Sequence, residues 1–207
     1  MLDLGLFPLP LVIFPGERLP LHIFEPRYRE LMAECIQRDE EFGIILADEA
    51  HIRGVGTRAA IVEVLEQLPD GRLNIIAEGR ERFRLVELTT GRSFHTGVVE
   101  PVVDEHDPAD PNAAAAALRL LQALATAIGV DVELPQPDSP TLSFEVAARV
   151  ELALDDEQEL LELRSERVRL ERLAELLEEA AARVRLEREV HERAKTNGKL
   201  SHRPPLL

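Results

Sequence analysis

The feature that most constrains this chain is a change of pattern at residues 104–112, DEHDPADPN. Upstream, apolar residues come in short runs and in two-residue alternation, the period of strands. Downstream, alanine- and leucine-rich runs carry the three-to-four-residue period of helices. A strand-patterned half followed by a helix-patterned half predicts an α+β fold whose sheet and helices are segregated. The junction itself, acidic and proline-bearing, reads as a hinge.

Within the first half, FGIILA (42–47) is a short buried-strand run. Residues 56–88 read as two long strands around Pro69-Asp70-Gly71, a turn in which proline pre-sets φ and glycine takes φ > 0. In the second of these strands Arg80, Arg82 and Arg84 share one face at spacing two, opposite Phe83 and Leu85, and are expected to be its wet face. Residues 93–103 form a further strand. The proline-rich opening is expected to give edge or irregular strands, because proline donates no ladder hydrogen bond. One helix interrupts this half at residues 26–38: Pro26 suits its first turn, and Leu31, Met32, Cys35 and Ile36 make an apolar stripe.

In the second half, Asp110 and Pro111 form an N-cap and first-turn pair opening a helix over 113–128, with Gly129 to close it. Residues 142–154 read as a short helix. Asp155 with Gln158 looks like a capping box for the next, and a long charged helix covers 166–195, divided from it at Ser165. Leu163, Leu170, Leu177 and Val184 fall seven apart on this stretch, so that it either packs into a bundle or joins a second copy. The expected division is 1–109 β-rich, 110–197 helical and 198–207 a flexible tail.

Catalytic patterns are missing from the sequence. There is no G-x-x-x-x-G-K-[ST] phosphate loop, no G-x-S-x-G elbow and no H-E-x-x-H. Gly54 and Gly56 imitate a dinucleotide fingerprint, but the segment after them runs into a second strand rather than a helix. Cys35 is the only cysteine and lies on an apolar stripe, where a thiol is ordinarily inert. The six histidines lack metal-ligand spacing, and DEHD (104–107) reads as a solvated acidic loop. No cofactor or metal is expected.

Net charge is −15, and both halves are acidic: −10 over 1–110 and −5 over 111–207. Phosphate backbones require the opposite sign, so neither nucleic acid nor a membrane surface is an expected partner. The apolar N-terminus is broken by four prolines and carries Asp3 where a signal peptide wants positive charge, which points to a cytoplasmic protein. What remains is hydrophobic: Phe7, Phe14, Phe24 and Tyr28 crowd one proline-punctuated region, either as the wall of a groove that accepts another chain or as the core of a small barrel.

LFPLPLVIFPGERLPLHIFEPRYREL (6–31), FGIIL (42–46), GVGTRAAIVEV (54–64), LPDGRLNIIAEGRERFRL (68–85) and DDEQELLEL (155–163), in that order, closely resemble the Lon protease N-terminal domain, the LON substrate-binding domain. The resemblance runs from about Leu6 to Ala180. It implies a PUA-like β pseudo-barrel with one helix, then a C-terminal helical bundle ending in a long helix. In Lon proteases such a domain precedes an ATPase and a protease module and helps to recognise unfolded or damaged substrates. This chain stops at Leu207, so a stand-alone, non-catalytic form is expected, a monomer or weak homodimer. Its partners would be unfolded or hydrophobic polypeptides, met through Phe14, Phe24 and Tyr28 as candidate substrate-binding residues. The alternative is an adaptor or regulator whose helical half docks on a separately encoded protease or ATPase.

Overall fold

Among the described residues the alternating pattern of the first half becomes six strands: β1 (Leu2–Leu9), β2 (Arg18–Ile23), β3 (Phe42–Ala47), β4 (Ile52–Gln67), β5 (Leu73–Thr89) and β6 (His95–Pro101). A computed structural model of the chain describes residues 2–48, 51–107 and 109–197. The tail expected over 198–207 lies outside the described residues.

The strands run β2-β5-β4-β3-β1-β6, and β5 also pairs with β6, which closes β5, β4, β3, β1 and β6 into a ring. The β1–β3 pair is parallel and the other pairs are antiparallel. Strand β2 stands outside the ring, paired only with the first half of β5, and Pro20 falls on this edge as proline must. Pro8 lies in β1, an interior strand of the ring, but at its end: β6 pairs only with Leu2 to Leu6, which leaves Pro8 beside β3 alone.

Helix α1 (Pro26–Arg38) begins at Pro26 and lays Tyr28, Leu31, Met32 and Cys35 on the barrel. Burial of such side chains stabilises by about 1.5–3 kcal/mol each. They join Phe7, Ile23, Phe42, Ile75 and Phe94 in one core, while Leu4, Leu6, Ile45, Phe83 and Val99 fill a second. The β4–β5 turn forms as its residues dictate: Gly71 takes φ 85°, and the Asp70 carboxylate accepts from the Arg72 backbone N–H at 3.1 Å.

Asp110 caps α2 (Pro111–Ile128) by accepting from Asn112 N–H, and Gly129 ends it in the left-handed region at φ 77°. Then come α3 (Leu142–Ala147), shorter than the 142–154 run suggested, α4 (Leu154–Glu162) and α5 (Glu166–Asn197). The capping box at Asp155 and Gln158 does not form. The α4 N-cap is Ala153, Asp155 lies within the first turn, and Gln158 is turned inward to donate to Val55 O on the barrel at 3.1 Å. Ser165 does divide the last two helices, accepting from Val168 N–H at 3.1 Å. The heptad seam of α5 goes into the bundle: Leu170, Leu173, Leu177 and Ala180 are buried with Leu121, Leu124, Leu142 and Phe144.

The two halves meet at a buried polar joint. Arg82, expected on a wet face, is covered by the helical half, whereas Arg80 and Arg84 on either side of it are exposed. Its guanidinium donates to Leu161 O and Leu163 O, each at 2.6 Å, and to the Asp104 carboxylate. Desolvation by that burial lowers the Arg82 pKa. Arg169, with no exposed surface, donates to Asp104 Oδ2 at 2.5 Å and to Glu166 Oε2 at 2.7 Å.

Candidate functional site

The three aromatic candidates separate. Phe14 sits in the Ile13-to-Glu17 turn, which is pinned to the barrel: Gly16 N–H donates to Gly79 O, Gly79 N–H to Glu17 O, and Thr57 Oγ1 to Ile13 O at 2.6 Å. A Cβ at Gly79 would lie 2.2 Å from Phe14 O, so only glycine admits this approach. Phe14 is thereby delivered into the joint between the halves, 2% exposed, stacked on Phe144 with centroids 5.6 Å apart. Tyr28 is 4% exposed and packs on Phe7 at 4.4 Å, with the Arg27 guanidinium over its ring. Both are core side chains. Phe24 differs. It lies between the end of β2 and the start of α1, is 60% exposed and stacks on His22 at 5.9 Å. His22 in turn shares a 2.6 Å hydrogen bond with Asn74 on β5, so this aromatic is displayed from a braced strand end.

Two grooves expose further apolar side chains that sequence reasoning missed. One, of about 420 Å³, runs between the end of α1 with residues 39–41 and the outer part of β4, and includes Ile36, Val62 and Val64. The other, of about 280 Å³, lies in the helical half between α2, residues 130–132, residues 149–151 and α5. Exposed Ile128 and Val130 line it with half-buried Val184, under a rim of Arg149, Arg183, Glu151 and Glu187. The available signal for the first was the exposed-looking VEVLEQ alternation of β4. For the second it was the apolar residues around Gly129 that outlast the helix.

Cys35 is buried, and desolvation, reinforced by Glu40 and Glu34, pushes its thiol up to about 11, far from a nucleophilic thiolate. Among the described residues no group of three or more His, Cys, Asp or Glu side chains is placed to hold a metal ion. Glu157 is raised to about 7 by burial and by Glu17 and Glu151 nearby, and Glu17 is raised by its own burial. Glu17 accepts from Phe14 N–H at 2.8 Å, which gives it a role in holding the turn. No helix among the described residues is long and apolar enough to cross a membrane.

A family model described as the ATP-dependent protease La (LON) substrate-binding domain matches residues 3–179. Lon protease 1 of Hydrogenovibrio crunogenus is 25% identical over an alignment of 204 positions that covers 89% of this chain and 24% of that protein. The Lon protease of Parabacteroides distasonis is 31% identical over an alignment of 102 positions that covers 45% of this chain and 12% of its own length. The chain thus spans about a quarter or less of these two relatives. Among solved structures, a Lon N-terminal domain protein from Xanthomonas campestris superposes with a TM-score of 0.69 at 26% identity, covering 84% of this chain and 97% of that one. The N-terminal domain of a Mycobacterium avium complex Lon protease gives 0.68 at 18% identity, over 86% and 98%, a likeness of fold alone.

Proposed function

This chain belongs to the LON substrate-binding domain family, and from that premise we propose that it is a non-catalytic polypeptide-binding module that recognises unfolded or hydrophobic client segments in protein quality control. The observation that carries the proposal is Phe24: a large aromatic held open to solvent on a braced strand end, where most core aromatics of the same region are sealed away. Burying two or three client side chains against such a surface contributes about 1.5–3 kcal/mol each. Ordering an unfolded client offsets several of those kilocalories. Affinity is then micromolar or weaker, and selectivity broad.

The test is fluorescence polarisation of labelled, unfolded hydrophobic peptides. Saturable micromolar binding that weakens several-fold in Phe24→Ala supports the proposal, and no saturable binding across the panel removes it.

A second reading has its own support. An adaptor docking through its helical half on a separately encoded protease or ATPase would use the groove around Ile128 and Val130, whose side chains are more than half exposed. Val130→Glu would then abolish capture of that partner and leave peptide binding at Phe24 intact.

A further inference from the structure

Which polypeptides the module takes is narrowed by one edge of the barrel. Strand β4 is paired with β3 only over Ile52 to Ala59. Its continuation, residues 60–67, is paired with β5 alone, with bulges between Ile61 and Glu63 and between Val64 and Glu66, and its other edge presents unpaired backbone donors and acceptors. Every residue from Val62 to Gln67 is exposed. Alongside this edge lies the groove whose far wall is the end of α1 and residues 39–41. Ile36, Val62 and Val64 supply exposed apolar surface to it.

The charge lining this groove is predominantly negative. Asp39, Glu40, Glu41 and Glu63 line it against a single basic residue, Arg80, which is itself paired with Glu78 at 2.7 Å. Arg58 neutralises Glu41 at 2.7 Å, and Arg38 reaches Glu40 only at 3.9 Å. Asp39 and Glu63 have no ion-pair partner among the described residues. The C-terminal end of α1 adds its partial negative charge at the same place. A second copy of this chain is a poor occupant, since it would bring its own acidic edge against Glu63 and its own net charge of −15.

We propose that the outer edge of β4 accepts an extended, net-basic client segment as an added strand, with aliphatic side chains over Val62, Val64 and Ile36 and basic side chains facing Glu63 and Asp39. Backbone pairing supplies sequence-tolerant affinity, and the aliphatic and acidic lining of the groove supplies the selectivity. The inference rests on the reading of the chain as a polypeptide-binding module.

The experiment compares three labelled octapeptides that share four aliphatic residues and carry Lys, Ser or Glu at the alternate positions. Binding to the full chain is read by fluorescence anisotropy at low and high salt, and backbone amide exchange is followed over residues 60–67. The expected result is a Lys peptide at least tenfold tighter than the Glu peptide, with a preference that shrinks as salt rises and new protection at the β4 edge amides. Glu63→Lys should remove that preference without changing the unfolding midpoint, and N-methylation of alternate backbone amides in the Lys peptide should abolish its binding. Equal affinities for the three peptides, or Lys-peptide binding indifferent to both Glu63→Lys and N-methylation, would overturn the edge proposal and leave the binding module standing. No binding of these peptides or of the wider hydrophobic panel would remove both.

Discussion

The guanidinium of Arg169 lies 4.2 Å from the centroid of the Phe144 ring, at the centre of the joint between barrel and bundle. Arg82 approaches the same ring at 5.2 Å, and Phe14 stacks on it from the barrel side. Two buried cations are tolerated there because Asp104 and Glu166 answer them and because the backbone carbonyls of Leu161 and Leu163 accept further N–H groups.

That arrangement makes Arg169 the side chain on which the joint depends. Arg169→Leu leaves Glu166 buried and Asp104 half-answered, and it should cost about 3–5 kcal/mol of unfolding free energy in urea denaturation. Arg169→Lys should recover little, since an ammonium does not reproduce the fork that spans Asp104, Glu166, Leu163 O and Ser143 Oγ. A loss under about 1 kcal/mol for Arg169→Leu would mean that apolar packing alone holds the halves together.

Phe14 and Phe24 are ten residues apart in one aromatic region and should respond in opposite ways. Phe14→Ala opens a cavity against Phe144 and should cost about 3–5 kcal/mol. Phe24→Ala removes an exposed side chain and should leave stability within about 0.5 kcal/mol while weakening peptide binding. Thermal unfolding and polarisation on the same two variants check both halves of the statement. A stable Phe14→Ala would place that side chain outside the core.

Where sequence chemistry is local, it was legible. Pro26 with the stripe of Leu31, Met32 and Cys35 gave α1 its bounds, and Asp110, Pro111 and Gly129 gave those of α2. Arg82 was not legible, because its burial depends on carbonyls of Leu161 and Leu163 about eighty residues further along the chain. Phe24 and Tyr28 illustrate the same limit at the candidate site: four residues apart, one follows a strand and faces water and the other lies in the first turn of a helix and faces the core. The open edge of β4 is a property of topology. It exists because β3 begins only at Phe42, opposite Ala59, and nothing in the sequence of β4 states that.

Cys35 should behave as a structural thiol. Its burial on the inward face of α1 and its pKa of about 11 predict that Ellman's reagent reacts at least tenfold more slowly with the native chain than with the chain in denaturing urea. Rapid native reaction would show that the α1 face opens easily, and it would reopen the question of nucleophilic chemistry at that position.

Glu157 sets a pH dependence whose sign is fixed by its environment. Its ordinary value of 4.5 is raised to about 7 by burial first, then by the charges of Glu17 and Glu151. Below about pH 4.5 the carboxyl is protonated both folded and unfolded, and the favourable difference is fully present. Between 4.5 and 7 the unfolded chain ionises while the folded one keeps its proton, so stability falls as pH rises, and the loss is complete once the folded group ionises above about 7. Because the side chain is only part-buried, solvent screening discounts the loss to about 1–2 kcal/mol. Glu17, raised by burial, acts in the same direction. The unfolding midpoint of the native chain should therefore drop by a few degrees between pH 5.5 and 8, a change of the size that about 1 kcal/mol makes in a domain of this length. In Glu157→Gln the drop should shrink to what Glu17 and the remaining groups contribute, and the variant should be the more stable of the two at pH 8. Parallel pH profiles for the two proteins would show that the Glu157 carboxyl is solvated in the folded state, which would free the α4 end of the joint from any proton-linked role.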